Sequence, residues 1–377
     1  MKKLIYITNA RIPTEKAHGY QICKMCEEFS NVGQEVELVV PKRNNNIKDD
    51  LFSYYSLKNN FKVRYISSFD FFKWEKILGK YSFYLQSLFF LLNIFISKFQ
   101  KDAILYTRSP EIAWVCSYKG KTIYEAHSWP ESKIGLLNFF LKKVYKIVVI
   151  SNGLKDEFIN NGYKEENILV APDGVDIEKF DISISKEEAR KKLNLPQDKK
   201  IAMYTGHLYK WKGVQTLADA AKLLPDDYII YFVGGTKRDR EKFIIKNKEL
   251  IDKGKIVSVL HQPHNQIPTW LKTADILVLP NSGKEKISSK YTSPLKLFEY
   301  MVSKRLMVAS SLPSFKEILG NNCCIFFTAD DSIDLANKIK TAANSSLNFD
   351  NVVGSAYLKT KEYTWKKRAN RIINFIY

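Results

Sequence analysis

The apolar residues of the chain fall into two alternating periods. Short runs rich in β-branched and aromatic residues occur at Leu4–Thr8, Val36–Val40, Val63–Ile66, Ala103–Tyr106, Thr122–Tyr124 and Lys146–Ile150. Between them apolar positions recur at helical spacing, at Tyr20–Val32, Tyr81–Lys98, Leu136–Val144 and Gly153–Asn160. The second half repeats the scheme. Strands are predicted at Ile201–Tyr204, Tyr228–Val233, Ile256–Leu260, Ile276–Leu279, Leu306–Ala309 and Cys324–Phe327. Helices are predicted at Val214–Leu224, Arg238–Asp252, Gln266–Thr273, Pro294–Val302, Phe315–Leu319, Ser332–Ala343 and Tyr363–Ile376. Near-continuous apolar strands separated by amphipathic helices predict an α/β chain of parallel sheets covered on both faces. The halves part between Asp173 and Lys200, where turn-rich APDGVDIEKF leads into the charged SKEEARKKLNLPQDKK. At 377 residues, two domains are expected. Open parallel sheets bind ligands beyond the carboxyl ends of their strands, so residues just after strands are the ones to inspect.

Composition changes this picture little. Apolar residues are 45% of the chain, enough for two ordinary cores. The formal net charge is +19. Up to Phe180 there are 26 basic and 20 acidic residues, and beyond it 33 and 20, so the excess lies mainly in the second half. It is spread singly along the chain as a lysine-rich solvated surface, with an anionic partner as the sharper reading. No zinc-finger spacing or RNA-binding aromatic signature is present, so nucleic acid is not an expected partner. The CxxC of Cys23 and Cys26 lies inside a helical pattern, and with Cys116, Cys323 and Cys324 it reads as reduced thiols. The apolar run of MKKLIYITNA is too short for a signal peptide and fits a buried first strand. The segment Phe83–Ile96 is apolar nearly all round but too short to span a bilayer. It reads as a buried helix of the first domain. The alternative is a helix that touches a membrane, since the preceding FDFFKWEKILGKYSF mixes Phe, Trp and Lys as interfacial segments do.

Four stretches carry candidate chemistry. In SPLKLFEYM, Ser293 suits an N-cap and Pro294 the first helical position, and the free N–H groups near Ser293–Leu295 suit phosphate. Glu299, further along, is placed to accept hydrogen bonds from sugar hydroxyls. In YTGHLYKWKGVQTLADA, Gly206 ends a strand and permits close backbone approach, while Lys212 and Gly213 open a helix, a combination that suits a diphosphate. The spacing is not that of a P-loop, and no GxGxxG follows the first strand. In TNARIPTEKAHGYQ, a polar loop closes on Gly19 and can approach phosphates or an acceptor, or is a plain connection. In YEAHSWP, His127 follows a strand at the ligand-bearing end of the first sheet.

Taken together, SPLKLFEYM, TGHLYKWKG, APDGVDIEKF and the closing YTWKKRA resemble the retaining family 4 glycosyltransferases of GT-B fold, in which two Rossmann-like domains face a central cleft. The resemblance implies an acceptor-side domain over 1–180, a nucleotide-sugar domain over 181–360, and a final helix at 361–377 crossing back to the first. Glu299 matches the glutamate on the donor ribose, Lys212 the lysine on the diphosphate, and Gly213 the glycine after it. His127 matches the histidine near the donor sugar, and Gly19 the glycine of the first loop. Three positions depart from the pattern. Tyr291 stands where the family often has a first glutamate, His207 where it often has arginine, and Asp173 precedes Gly174 where asparagine is usual.

The implied reaction moves a sugar from a nucleotide-diphosphate donor, with retention, to a glycan or lipid-linked acceptor, in surface polysaccharide or glycolipid synthesis. Lys212, His207 and the N–H groups near Ser293–Leu295 would stabilise the leaving diphosphate, with His127 orienting sugar or acceptor. No Asp-x-Asp motif appears, so no metal and no other cofactor is expected. Expected surroundings are the cytoplasm, with peripheral contact at the inner face of an anionic membrane. The alternative is a nucleotide-sugar 2-epimerase of the same fold, which needs no acceptor.

Overall fold

A computed structural model describes residues 2–67, 71–74, 77, 79, 81–344 and 346–377. Residues 69, 70, 75, 76, 78 and 80 of the aromatic stretch Phe69–Phe99 thus lie outside the described residues. Contacts divide the chain into two compact units. The first is Met1–Ile150, Leu154–Ala171 and Trp365–Tyr377; the second is Ser151–Gly153 and Pro172–Thr364.

The first unit holds a seven-stranded, wholly parallel sheet in the order β3-β2-β1-β4-β5-β6-β7. Its strands are β1 (Lys3–Ile7), β2 (Glu35–Lys42), β3 (Lys62–Ser67), β4 (Ile104–Thr107), β5 (Thr122–Ala126), β6 (Lys146–Val149) and β7 (Ile168–Val170). Three residues of β7 are too few to show a period, and the sequence reading passes over that strand. Among its helices are α1 (Ala17–Asn31), α2 (Tyr81–Ile96), α3 (Pro110–Ser117) and α4 (Ile134–Leu141). The helix expected at Phe83–Ile96 forms, but it is only partly buried. In α2, Phe90 and Ile94 face the core while Tyr84, Leu88, Leu92 and Phe95 are exposed.

The second unit holds a six-stranded parallel sheet in the order β10-β9-β8-β11-β12-β13. Its strands are β8 (Lys200–Thr205), β9 (Tyr228–Val233), β10 (Ile256–Val259), β11 (Ile276–Leu279), β12 (Leu306–Ser310) and β13 (Ile325–Phe327). Both faces are covered, and successive residues of one strand serve different cores. Ile201 and Met203 join one cluster with Leu297 and Met301, while Ala202 and Tyr204 join another with Leu217 and Phe232. Its helices include α5 (Val214–Ala221) and α6 (Leu295–Val302). The single helix expected over Arg238–Asp252 is two, Lys237–Lys246 and Lys248–Asp252. They part at Asn247, whose buried amide bonds Gln215 of α5 (3.0 Å) and the Phe243 carbonyl (2.9 Å). The chain then returns to the first unit as α7 (Trp365–Ile376), with Trp365 edge-on to Tyr20 of α1 at 6.4 Å.

All five cysteines are buried free thiols, and burial raises the pKa of each. Among the described residues no helix is long and apolar enough to cross a membrane.

Candidate functional site

Both sheets reverse their strand order once, between β1 and β4 and between β8 and β11. Such a reversal opens a crevice at the carboxyl ends of the two strands, because the connections leave in opposite directions. In the second unit, the chemistry-bearing residues collect there.

β8 runs into Gly206, whose N–H donates to the Val233 carbonyl at 2.8 Å. Gly206 has φ +117°, a conformation that favours glycine, and a Cβ on it would lie 3.0 Å from the Lys296 Nζ, tight against that group. The following loop is a platform of rings. His207 stacks on Tyr209 at 4.9 Å and 7°, and Tyr209 lies 6.5 Å from Trp211. The Lys212 Nζ sits 3.7 Å from the Trp211 ring centroid. Gly213, at φ +67°, caps α5, and a Cβ there would fall 1.7 Å from the Pro280 carbonyl oxygen. This close approach pins the loop to the segment after β11, where the Ser282 N–H donates to the Trp211 carbonyl at 3.0 Å.

The start of α6 differs from the sequence expectation. The helix begins at Leu295, and extended Pro294 (φ −76°, ψ 128°) occupies the cap position expected for Ser293. Ser293 caps nothing; its buried hydroxyl accepts the Asp173 N–H at 2.9 Å. The hydroxyl is committed to that neighbouring loop, and a proline preceding the first turn lets the helix begin without a side-chain cap. Glu299, one turn in, takes the His264 Nε2 at 3.2 Å, and its side chain is 12% exposed.

Electrostatically, this crevice is positive and under-compensated. Lys296 lies in the first turn of α6, where the helix dipole disfavours a cation. Its buried Nζ has no hydrogen-bond partner among the described residues and sits 3.8 Å from the Tyr204 ring centroid. Desolvation, then the charge of Lys212, hold Lys296 well below the usual lysine range, with Glu299 opposing. Lys212 keeps some surface, yet desolvation pushes it down to about 7. Desolvation and Lys296 also lower His207, whose buried Nδ1 lacks a partner among the described residues. Beside Gly213, both amide atoms of fully buried Asn281 are likewise unpartnered. Two desolvated lysines, a histidine and an amide at a helix mouth are chemically suited to an oxyanion, whose charge would favour their protonated forms.

The first unit carries a separate cluster at the end of β5. Glu125, fully buried, receives Arg108 at 2.9 Å and Arg368 of α7 at 2.9 Å, and the Tyr106 hydroxyl also donates to it. Burial alone would raise its carboxyl, but the two guanidiniums outweigh burial and hold it well below the usual carboxylate range. His127 meets the same carboxylate through Nε2 at 2.5 Å. An ionised carboxylate only accepts, so the Nε2 proton donates to Glu125 and fixes the ring's orientation. Gly19 lies within α1 and is explained by packing. A Cβ there would be 2.2 Å from the Tyr55 hydroxyl oxygen and 2.5 Å from the Thr14 Cγ2.

The structure thus gathers Gly206, His207, Lys212, Gly213 and the start of α6 in the second unit, with Glu299 further along that helix. His127 and Gly19 belong to the first. Sequence reasoning missed Lys296, Asn281, His264, Glu125, Arg108 and Arg368. The signal for Lys296 was a lysine at a helix start, where dipole logic prefers an acid. For Glu125 it was a carboxylate two residues before the histidine of YEAH. Among the described residues, no group of three or more His, Cys, Asp or Glu can hold a metal ion.

Residues 185–356 match the family described as glycosyl transferases group 1. A Bacillus subtilis (strain 168) protein, provisionally named teichuronic acid biosynthesis glycosyltransferase TuaC, is 28% identical over 183 residues, 48% of this chain and 43% of its own. The Escherichia coli UDP-Gal:alpha-D-GlcNAc-diphosphoundecaprenol alpha-1,3-galactosyltransferase is 26% identical over 237 residues, 61% of this chain and 56% of its own. The chain spans about half the length of the curated relatives it matches. Among solved structures, Anabaena Alr3699/HepE in complex with UDP and glucose aligns with a TM-score of 0.76 at 14% identity, covering 99% of both chains. The two parallel-sheet units are Rossmann-like, and the fold is GT-B.

Proposed function

We propose, from a second unit that matches the glycosyl transferases group 1 family within a chain of GT-B fold, that this protein is a retaining, metal-independent glycosyltransferase. It takes a sugar from a nucleoside diphosphate and passes it to a glycan or lipid-linked acceptor in surface polysaccharide or glycolipid synthesis. The observation that carries this reading is the pair Lys212 and Lys296, desolvated and without an ion-pair partner among the described residues, at the strand reversal of a parallel sheet.

As the bond from the anomeric carbon to the phosphate oxygen breaks, negative charge grows on the diphosphate. Cations already stripped of water stabilise that charge without reorganising. Lys212 and Lys296 do this from two sides, with the first N–H groups of α6 and His207 supplying hydrogen bonds. They fill the role a divalent ion plays elsewhere, which supports metal independence. Glu299 accepts the ribose hydroxyls, its carboxylate oriented by His264. Retention places the acceptor on the departing face, where the leaving phosphate oxygen takes the acceptor proton. His127, held by Glu125, orients the sugar or acceptor. The donor first to test is a uridine diphosphate sugar, because the HepE complex holds UDP and the Escherichia coli relative uses UDP-Gal.

The test is calorimetric titration with uridine, guanosine and adenosine diphosphates, with and without chelator, followed by turnover of variants. One nucleotide should bind irrespective of chelator. Lys212→Ala and Glu299→Ala should each lose about 10²–10³ in rate with the fold intact. Near wild-type turnover of both at saturating donor would defeat the assignment.

A further inference from the structure

In α2 the usual sorting of side chains is partly inverted, although Phe90 and Ile94 face the core. Ser82 and Gln86 are buried, and Gln86 Oε1 accepts the Phe71 N–H at 3.2 Å. Tyr84, Leu88, Leu92 and Phe95, which share one side of the helix at 100° per residue, are each 51–64% exposed. The exposed apolar surface does not stop there. Helices α3 and α4 pack alongside, with Trp114 5.6 Å from Phe139 and 6.0 Å from Tyr118. Leu136, Phe139 and Tyr118 stand 49–61% exposed. A soluble face of this extent is rare, because each of these side chains orders water at a free-energy cost that burial would remove.

The rim of the patch is basic. Exposed Lys98, Lys101, Lys142 and Lys143 follow α2 and α4 in the chain and half-buried Lys119 follows α3, with Lys119 5.5 Å from the Phe95 ring centroid and Lys143 4.2 Å from that of Tyr118. Residues 77–101 and 132–155 contain no Asp or Glu at all. At one edge, Ser87 of α2 bonds Asn9 at 3.2 Å, and Asn9 bonds Arg43 at 2.5 Å. Arg43, Arg11 and Lys42 line a cavity of about 170 Å³ there. Two such faces brought together as an isologous dimer would set like charges against one another.

We propose that this face of α2, α3 and α4 docks on an anionic lipid bilayer. The aromatic and leucine side chains enter the headgroup–acyl boundary, the lysines contact anionic headgroups, and the Arg11–Lys42–Arg43 cavity seats a lipid phosphate. The helix lies in the interface plane and does not cross it. This partner does not depend on the reaction proposed above, so loss of transfer and loss of docking are separable.

The experiment is flotation of the full chain with phosphatidylcholine vesicles containing about one-third phosphatidylglycerol, compared with pure phosphatidylcholine, at low and high salt. Wild type should float with the anionic vesicles at low salt, and high salt should weaken this. Leu88→Gln/Leu92→Gln/Phe95→Gln should lose at least tenfold in partitioning with an unchanged unfolding midpoint. Lys142→Glu/Lys143→Glu should lose at least about fivefold per lysine. Absence of wild-type flotation at low salt, equal flotation on neutral vesicles, or retention by the triple variant would overturn the proposal. So would a wild-type dimer that the triple variant dissolves while neither protein floats.

Discussion

Replacing Lys212 by methionine should stabilise the protein and remove its phosphate grip in one step. Desolvation takes the ammonium from its ordinary 10.5 to about 7. At about 1.4 kcal/mol per unit, a burden of about 4 kcal/mol follows at pH 7. The side chain retains some surface, and water offsets part of this, so about 2 kcal/mol is the expected gain. Methionine preserves length and apolar packing on Trp211 while removing the charge. For a unit of this size, about 2 kcal/mol raises the unfolding midpoint by about 4–8 °C. The pH dependence carries a definite sign. Between about 7 and 10.5 the unfolded chain binds more protons at this site than the folded one, so wild-type stability rises with pH there and is lost as pH falls toward 7. Lys212→Met lacks that slope. Thermal unfolding of both proteins at about pH 7, 8 and 9 should show the variant ahead at pH 7 and the two converging as pH rises. Uridine diphosphate should stabilise wild type more than the variant. A variant no more stable than wild type at pH 7, or two parallel pH curves, would refute the reasoning.

Four further outcomes follow from the same geometry. Gly213→Ala forces a Cβ to within 1.7 Å of the Pro280 carbonyl at positive φ, and should lose about 3 kcal/mol in denaturant unfolding. Arg368→Met leaves Glu125 with one guanidinium fewer and should destabilise by about 3–5 kcal/mol in the same assay. Because Glu125 is held well below its ordinary value, its stabilising share is present above that value and lost as pH falls below it. Acid unfolding of Glu125→Gln should therefore show a shallower dependence at low pH than wild type. Diphosphate affinity should weaken above about pH 7 by up to tenfold per pH unit as Lys212 loses its proton, which calorimetry in buffers of differing ionisation enthalpy would register as proton uptake.

Much of this was legible in the chain, and the gaps share a physical origin. The alternation of apolar strands and periodic helices placed twelve of the thirteen strands among the described residues, because parallel sheets covered on both faces leave near-continuous apolar runs. The post-strand rule located Gly206, Lys212 and Gly213, whose roles depend on local turn geometry. It could not reveal that Glu125 and Arg368 meet, since 243 residues separate them and no periodicity relates them. Lys296 was hidden for another reason. Sequence reasoning takes a lysine at a helix start as incidental, and only the structure brings its Nζ against Gly206, 3.0 Å from where a Cβ would sit. The orientation of α2 was left open, between a buried helix and one that touches a membrane, because its composition resembles a core helix. Only the burial of Ser82 and Gln86 reveals which way it is turned.

Arg368 joins Glu125 from 243 residues further along the chain, beyond the whole second unit, and this bears on how the protein comes into being. While the ribosome is still making the second unit, β1 to β7 can already pair, but Glu125 sits with Arg108 as its one guanidinium neighbour. The groove of α1 that will receive Trp365 is still vacant. His127 therefore gains the support of Arg368 through Glu125 only after α7 has emerged and docked. Support of that histidine thus waits on synthesis of α7, and a product ending before Trp365 would retain the strands of the first sheet yet lack the Arg368 clasp.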